Sequence, residues 1–291
     1  MKVSRNLVYG MALLSPAVVL LVTFTYFPTA ATIWDSFFST PRGKRGAVFI
    51  GTDNYHTLFS DPVFFKAMIN NLIYAATTIP LSMGLALAMA LLVNAKIRFR
   101  GFARLAFFMP TMLPMIAVAN IWMFFYAPDY GLIDQILGIF GLAGNNWLGD
   151  PKTALGSLIV ITIWKNAGFF MIFYLAALQQ VSPVLIEAAT LEGANYLQRL
   201  RRVILPLLMP TTLFVAINAV IDAFRLVDHV IAMTKGGPDN ATQLLLFYIY
   251  QTAFSYWDTA YAATLSVVLL AILAVIALIQ FAYADKRIFY R

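Results

Sequence analysis

The stretch SPVLIEAATLEGANYLQRLRRVILPLLMP, residues 182–210, contains two short helical patterns separated by a glycine. Ser182 followed by Pro183 is typical of a helix start, because a serine hydroxyl can cap free amides and proline is accepted in the first turn. Gly193 can adopt the left-handed conformation that ends a helix and permits a bend. A second short helix then runs on to Pro206. The stretch therefore predicts a compact helix-turn-helix.

The surface of this element combines small and charged side chains. Ala188 and Ala189 leave a small-residue face that another protein could approach closely. Charged side chains flank that face, on Glu187, Glu192, Arg199, Arg201 and Arg202. A solvated amphipathic loop, held on lipid headgroups by its arginines, is the alternative interpretation.

The composition outside this stretch is that of a membrane protein. Hydrophobic residues make up 61% of the 291 residues and charged residues 11%, and the mean hydropathy is +0.79. A water-soluble domain has about a quarter of its residues charged, so that class is excluded. Cysteine is absent and there are two histidines, which leaves few groups for metal binding or acid–base catalysis. The composition disfavours an enzyme.

Six charge-poor intervals are long enough to cross a bilayer, which takes about 20 apolar residues as a helix. Lys165 interrupts the fourth interval, and Asp222 and Arg225 lie in the fifth. We therefore predict an all-α polytopic protein, a single transmembrane domain over residues 1–291. Its spans are expected at about 7–33, 67–93, 105–127, 153–177, 204–225 and 259–283, with a cytoplasmic segment at 182–206.

Three further segments affect the span count. Residues 135–149 are too short and glycine-rich for a span and predict an external loop with a short helix. Residues 240–257 are nearly long enough but amphipathic, so we expect them on the outer surface or partly re-entrant. The first hydrophobic run lacks a convincing signal-peptide cleavage site and is predicted to remain as an anchor.

The distribution of basic residues sets the orientation. With the N-terminus inside, most of the 20 lysines and arginines fall in cytoplasmic segments, as the positive-inside rule requires. Both termini are therefore predicted to be cytoplasmic. The basic residues assigned to the inside are Lys2, Arg5, Lys96, Arg98, Arg100, Arg104, Arg199, Arg201, Arg202, Lys286, Arg287 and Arg291.

A resemblance to a known family rests on seven residues of the quoted stretch: Glu187, Ala188, Ala189, Gly193, Ala194, Leu205 and Pro206. In identity and spacing they resemble the EAA motif of binding-protein-dependent ABC importer permeases. The resemblance implies that this segment forms coupling helices in a groove of an ATPase subunit and transmits its closure to the membrane helices. Glu192 stands where aspartate is usual, Leu200 where phenylalanine is common, and Ile204 where threonine is common.

The resemblance extends along the chain. Residues 13–38, 49–75 and 233–254 look like the carbohydrate-uptake branch, in particular the maltose-permease larger subunit without its extra N-terminal spans and large periplasmic insertion. Lys235 occupies a position often held by glycine. The resemblance implies a heterodimer with a second permease in the cell inner membrane, two ATPase subunits, and a periplasmic or lipoprotein substrate-binding protein.

The predicted function is that of a permease subunit which translocates a di- or oligosaccharide with ATP hydrolysed by a partner subunit. No GxxxxGK[ST] sequence occurs, so ATP and Mg are expected on the partner and no cofactor on this chain. Import of glycerol 3-phosphate or a polyol by the same machinery is one alternative. An ion-coupled secondary transporter is another, with Lys165, Asp222 and Arg225 as its relay.

Candidate residues for the substrate path lie on four predicted spans. Amides donate and accept hydrogen bonds to hydroxyl-rich substrates, and aromatic faces cover the apolar side of a sugar ring. The candidates are Asn71 and Tyr74 on span two, in a stripe with Thr78; Asn120 on span three; Trp164 on span four; and Asn218, Asp222 and Arg225 on one face of span five.

Each group of candidates also has a packing explanation. Asp222 and Arg225 are three residues apart and could pair with each other, and a pairing of Asp222 with Lys165 is second best. Trp122 and Tyr126 suit either a sugar-binding wall or an interfacial aromatic belt. The pore residues do not select one substrate, since a basic lining also suits a phosphorylated polyol.

Overall fold

The computed structural model describes residues 5–43, 45–95, 98–142 and 144–285, and the secondary structure there is helical apart from isolated bridges. Five of the residues used to predict the orientation, Lys2, Lys96, Lys286, Arg287 and Arg291, lie outside that part. The all-α prediction is confirmed. In chain order the helices are α1 Arg5–Leu21, a π-helical turn Val22–Tyr26, α2 Phe27–Asp35, α3 Asp53–Ser60, α4 Pro62–Asn94, α5 Arg100–Met112, α6 Met115–Phe125, α7 Leu132–Ile139, α8 Ala154–Gln180, α9 Pro183–Leu191, α10 Tyr196–Arg199, a π-helical turn Leu200–Ile204, α11 Leu205–Leu207, α12 Met209–Arg225, α13 Asp228–Met233, α14 Leu245–Phe254 and α15 Thr259–Asp285.

Four helical segments are long and apolar enough to cross a membrane: Tyr9–Asp35, Pro62–Asn94, Ala154–Gln180 and Thr259–Ala282. Two helix pairs pass the same criterion together but are bent, Arg100–Met112 with Met115–Phe125 by 102° and Tyr196–Leu207 with Met209–Met233 by 68°. The described part of the chain therefore has four to six candidate spans. The bent pairs lie where the third and fifth spans were predicted.

The bend between α5 and α6 follows from Leu113 and Pro114. A residue before proline is driven out of the helical region, and Leu113 is extended with ψ at 136°. Pro114 precedes the first residue of α6 and is not helical, with φ −55° and ψ 143°. One span was predicted here because the whole interval is apolar. Hydropathy does not detect a backbone bend.

The chain divides into two compact units. The first comprises the described residues of Met1–Asp61 together with Ile249–Ile272. Side chains join α3 to the end of α2: the Tyr55 hydroxyl is 2.8 Å from Ser36 Oγ, and Asn54 Nδ2 donates to the Ser36 carbonyl at 2.9 Å. Hydrogen bonds within this unit thus hold the end of α2 against α3.

The second unit comprises Pro62–Tyr248 and the described residues of Leu273–Arg291. Its interior contains α4 packed along α8. Small residues on α4, Ala86 and Ala90, lie opposite Phe170, Met171 and Tyr174 of α8, and all five are buried. Alanines four residues apart allow two helices to approach closely, which is how membrane helices gain van der Waals contact.

Gly168 marks a close approach of α8 to α5 in the second unit. A Cβ atom at this position would lie 2.2 Å from the Phe107 carbonyl oxygen and 3.2 Å from Thr111 Cγ2. Only glycine allows this contact without displacing a backbone. Gly168 therefore sets the close packing of α5 on α8, just before the bend between α5 and α6.

Candidate functional site

The coupling segment, residues 182–206, folds as two short helices around a left-handed glycine. Helix α9 has Pro183 in its first turn and ends at Leu191, and Gly193 follows with φ +81°. The Ala194 amide donates to the Ala189 carbonyl at 3.0 Å, which closes the end of the helix. The predicted bend at Gly193 is confirmed.

The prediction that the Ser182 hydroxyl caps α9 is wrong. Ser182 precedes the helix in an extended conformation, but its hydroxyl makes no capping hydrogen bond. The Leu185 amide donates to the backbone carbonyl of Ser182 at 3.2 Å, and Pro183 has no amide to offer. One of the two amides that a serine cap would serve, that of Leu185, is therefore already satisfied by the backbone.

A cap that the sequence analysis missed begins α10. Asn195 Oδ1 accepts from the Gln198 amide at 2.9 Å, and the Asn195 amide donates to Gln198 Oε1 at 2.8 Å. This is a capping box, and the spacing of Asn195 and Gln198 would have revealed it. The Arg199 guanidinium donates to Thr190 Oγ1 at 2.6 Å, which ties α10 to α9. Side chains thus fix the angle between the two helices.

The coupling segment exposes large apolar side chains. Leu191 is 91% exposed, Val184 68% and Tyr196 60%, although all three are large and apolar or aromatic. Two acidic side chains, Glu187 and Glu192, are exposed on the same segment. Among the other predicted coupling residues Ala188, Gly193 and Pro206 are exposed, while Ala189, Ala194 and Leu205 are half-buried.

A groove of about 520 Å³ lies at the base of α9. It is lined by Asn94 of α4, Leu178 and Val181 near the end of α8, Pro183, Ile186 and Glu187 of α9, and Ile204. The groove thus lies between α9 and the ends of the two longest helices of the second unit.

The predicted polar stripe of α4 is buried in the second unit. Asn71 Nδ2 donates to the Ala223 carbonyl at 3.3 Å, and Asn71 Oδ1 accepts from the Leu245 amide at 3.2 Å. Thr78 is also buried, and its hydroxyl donates to the Tyr74 carbonyl. Asn71 thus joins α4 to α12 and α14.

Tyr74 is at the centre of a hydrogen-bonded triad. Its hydroxyl is 2.6 Å from Thr162 Oγ1 and 3.0 Å from His229 Nε2, and all three residues are buried. Thr162 Oγ1 donates its proton to the Leu158 carbonyl. Tyr74 must then donate to Thr162 and accept from His229. His229 is not among the residues predicted from the sequence, where its signal is a lone imidazole at the end of an apolar interval.

The polar residues of α12 are more open than those of α4. Asn218 and Asp222 are half-buried and Arg225 is exposed. Asn218 Nδ2 donates to the Phe214 carbonyl at 2.7 Å, one turn back along the helix. Asp222 and Arg225 lie on the same face of α12, within range of each other's charge. This face retains polar groups that are open to contact.

Aromatic side chains of α6 and α8 pack against each other. Trp122 meets Trp164 edge to face, with ring centroids 5.6 Å apart, and Trp164 is 38% exposed. Asn120 is exposed and donates to the Ile116 carbonyl. Tyr126 is instead buried, and its hydroxyl donates to the Ser157 carbonyl at 3.1 Å. Tyr126 is therefore part of the core.

Lys165 makes hydrogen bonds with backbone carbonyls at the bend between α5 and α6. Its Nζ lies 2.6 Å from the Leu113 oxygen, 3.3 Å from the Pro110 oxygen and 3.4 Å from the Thr111 oxygen. The sequence analysis left open a pairing of Lys165 with Asp222. The three donors of the ammonium group are used by the carbonyls.

The loop between α13 and α14 is held from inside the second unit. Asn70 Nδ2 donates to the Asn240 carbonyl at 2.8 Å and to the Gln243 carbonyl at 3.1 Å. Gly236 is buried with φ +82°, and Thr242 is buried and donates to the Gly237 carbonyl. A buried side chain thus holds the backbone of this loop, whereas Asp239 and Asn240 are exposed.

The chain matches the family described as "Binding-protein-dependent transport system inner membrane component" over residues 80–290, which is more than half of its length. It belongs to that family of inner-membrane transport permeases. This match confirms the resemblance carried by the EAA motif.

Relatives with named substrates align over most of the chain. The lactose transport system permease protein LacF of Rhizobium radiobacter is 34% identical, covering 96% of this chain and 95% of the relative. The sulfoquinovosyl glycerol transport system permease protein SmoG of Agrobacterium fabrum is 33% identical, covering 89% and 85%. The sn-glycerol-3-phosphate transport system permease protein UgpA of Brucella abortus is 30% identical, covering 96% and 95%.

A solved structure shares the fold. It is the crystal structure of a bacterial ABC transporter involved in the import of the acidic polysaccharide alginate, with a TM-score of 0.83, 24% identity, and coverage of 96% of this chain and 95% of that chain. The alginate transporter in complex with an alginate pentasaccharide-bound periplasmic protein matches with a TM-score of 0.79 at 24% identity. These likenesses establish the arrangement of helices.

Proposed function

We propose that this chain is a permease subunit of an ABC importer that carries a di- or oligosaccharide across the inner membrane with ATP hydrolysed by a partner subunit. The observation that carries the proposal is the exposed, bent coupling segment in a chain of this transport family. Its large apolar side chains, such as Leu191, would otherwise be left in water. A docked protein surface would bury them.

The coupling segment is mechanically continuous with the membrane helices. Helix α8 ends at Gln180, two residues before Ser182, and its 27 residues span about 40 Å. We propose that closure of two ATPase subunits moves the two coupling helices of the heterodimer together and tilts α8. The importer would thereby shift between inward-facing and outward-facing states through contacts that differ between the states.

The substrate path is proposed to follow the open polar and aromatic residues of the second unit. Asn120, Trp164, Asn218, Asp222 and Arg225 are half-buried or exposed, whereas Asn71 and Tyr74 are bonded in the interior. The first group offers hydrogen-bonding groups together with an aromatic face, which suits a sugar. The two buried residues would shape the wall behind the path.

Import of glycerol 3-phosphate or a related polyol is a second candidate. Arg225 is exposed on α12, so its guanidinium is open to an anionic substrate. The relative named for sn-glycerol 3-phosphate supports the same possibility. An ion-coupled transporter is less well supported, because Lys165 is bound to backbone carbonyls.

Both termini are proposed to be cytoplasmic, with the loop between α13 and α14 outside. Of the outer-loop segment 236–242, the exposed residues are Asp239 and Asn240, and Lys235 is exposed beside it. We propose that these exposed residues contact a substrate-loaded binding protein. The buried residues of the loop would hold it in shape.

Co-purification tests the proposal directly. The chain would be expressed with ATPase, second-permease and binding-protein subunits of this transporter class from the same source, and the complex placed in liposomes. We expect a stable complex that hydrolyses ATP faster in the presence of loaded binding protein. Lactose, maltose, raffinose and sn-glycerol 3-phosphate would be compared for their effect on the unfolding temperature of the binding protein.

Two results would contradict the proposal. Substrate accumulation in liposomes that contain this chain without an ATPase would indicate a secondary transporter. Stabilisation of the binding protein by sn-glycerol 3-phosphate and by none of the sugars would favour the second candidate substrate.

A further inference from the structure

The broken third span leaves backbone carbonyls without their helical partners. In an unbroken helix the Pro110 carbonyl would accept from the amide four residues later, at position 114. That residue is Pro114, which has no amide hydrogen. Leu113 is extended, so its carbonyl also points away from the helical ladder. In a membrane such carbonyls are costly unless another donor reaches them.

Lys165 of α8 supplies those donors. Its ammonium group lies within hydrogen-bonding distance of the Pro110, Thr111 and Leu113 carbonyls, and an ammonium has three N–H groups. A positive charge at the end of α5 also complements the negative end of the helix dipole. The Lys165 charge and the unpaired carbonyls of the bend are each costly in a membrane, and the hydrogen bonds between them stabilise both.

The contact joins the bend to the helix that leads to the coupling segment. Gly168, one turn after Lys165 on α8, lies against the backbone of Phe107 in α5. Helix α8 therefore holds α5 twice, by close packing at Gly168 and by hydrogen bonds at Lys165. Its other end leads directly into Ser182 and α9.

We propose that Lys165 is a positioning residue for transport: its ammonium group fastens the broken third span to α8, so that movement entering α8 at the coupling segment reaches the bend. The mechanical role rests on the proposed importer function, whereas the fastening itself does not. The ammonium group is directed at these carbonyls, which assigns Lys165 to the bend rather than to a substrate.

The first experiment measures the fastening in the full-length chain alone. The chain has no cysteine, so Leu105→Cys and Ile116→Cys, both at exposed positions on either side of the bend, can be spin-labelled without background. Electron–electron distances would be recorded in lipid nanodiscs with Lys165 intact and with Lys165→Met, which keeps the aliphatic stem. Lys152→Met, at an exposed lysine before α8, is the matched control.

We expect a narrow distance distribution with Lys165 intact, and a distribution broadened or shifted by several ångströms with Lys165→Met. The Lys152→Met distribution should match the unsubstituted one. An unchanged distribution in Lys165→Met, or an equal change in both variants, would overturn the fastening. This result does not depend on ATPase partners, so failure of the importer proposal would be recognised separately.

The second experiment restores the amine after folding. Lys165→Cys would be the chain's single thiol, and bromoethylamine converts it to an aminoethyl side chain of lysine length. Bromopropane gives an uncharged group of similar size. In the reconstituted complex, ATP hydrolysis stimulated by loaded binding protein should fall about tenfold in Lys165→Cys, as expected for loss of hydrogen bonds from a charged group. It should recover after aminoethylation.

Equal rates after aminoethylation and propylation would overturn the mechanical role, as would a Lys165→Cys complex that is as active as the original. Lys165→Arg should keep partial activity, because a guanidinium donates to carbonyls in a different geometry. Full loss in Lys165→Arg together with full recovery by the propyl group would indicate that the side chain acts by size alone.

Discussion

Buried polar side chains show how individual residues connect the helices of the second unit. Tyr74, Thr162 and His229 form one hydrogen-bonded set across α4, α8 and α13. The Nδ1 atom of His229 is buried without a hydrogen-bond partner in the described part of the chain. The neutral imidazole that donates from Nε2 is consistent with this arrangement, since a charged ring would need a second acceptor.

Tyr74→Phe should lower the free energy of unfolding by about 2 kcal/mol, because it leaves the buried His229 and Thr162 groups without their partner. Thermal unfolding of the detergent-solubilised chain would measure the effect. Thr77→Val is the matched control on the same helix, since the Thr77 hydroxyl bonds only carbonyls of its own helix. An equal loss in both variants would contradict the role of the triad.

Asn195→Ala should lower the free energy of local opening of α10 by about 1 kcal/mol, because it removes one half of the capping box. Amide hydrogen exchange of the Tyr196–Arg199 helix would measure this. Ser182→Ala is the control, and it should leave the exchange of α9 unchanged because its hydroxyl makes no cap. Faster exchange in α9 of Ser182→Ala would show that the serine cap forms after all.

At the scale of elements, the position of α5 against α8 depends on one glycine. Gly168→Ala should destabilise the chain by about 1–3 kcal/mol, because the new Cβ meets a backbone oxygen that cannot rotate away. Gly156→Ala in the same helix meets no atom within 4 Å and should stabilise it by about 0.5–1 kcal/mol. Chemical denaturation in detergent would compare them, and equal values would contradict the close approach.

The bend of the coupling segment gives a second prediction at this scale. Gly193→Pro should abolish uptake while membrane insertion continues. Proline fixes φ at about −65°, which is incompatible with the positive φ of Gly193, and it removes the amide that donates to the Thr190 carbonyl. Gly193→Asn tolerates the left-handed conformation and has free space, so it should retain most uptake. Normal uptake by Gly193→Pro would count heavily against coupling through this bend.

At the scale of the whole molecule, the proposed orientation can be tested by labelling. Leu191→Cys lies on the coupling segment and should react with a membrane-impermeant maleimide only from the cytoplasmic side. Asn240→Cys in the loop between α13 and α14 should react only from the outside. The natural sequence has no cysteine, so each signal reports one position. Labelling of Leu191→Cys from the outside would overturn the orientation.

The sequence by itself determined the class of protein. Long charge-poor intervals require helices in lipid. A bent element of a known type was predicted from Ser182–Pro183, Gly193 and the EAA residues. Local rules suffice there, because proline, glycine and hydropathy act on the residues next to them. The Asn195 cap obeys the same kind of rule and was available from the sequence.

Only the tertiary structure decided which polar face is interior and which is open. Helical periodicity places Asn71 with Tyr74, and Asp222 with Arg225, on shared faces, but lipid tails and a protein core are equally apolar, so hydropathy does not distinguish them. The partners of Lys165 are more than 50 residues away along the chain. A contact between distant segments depends on how the helices pack, and no local pattern in the sequence encodes it.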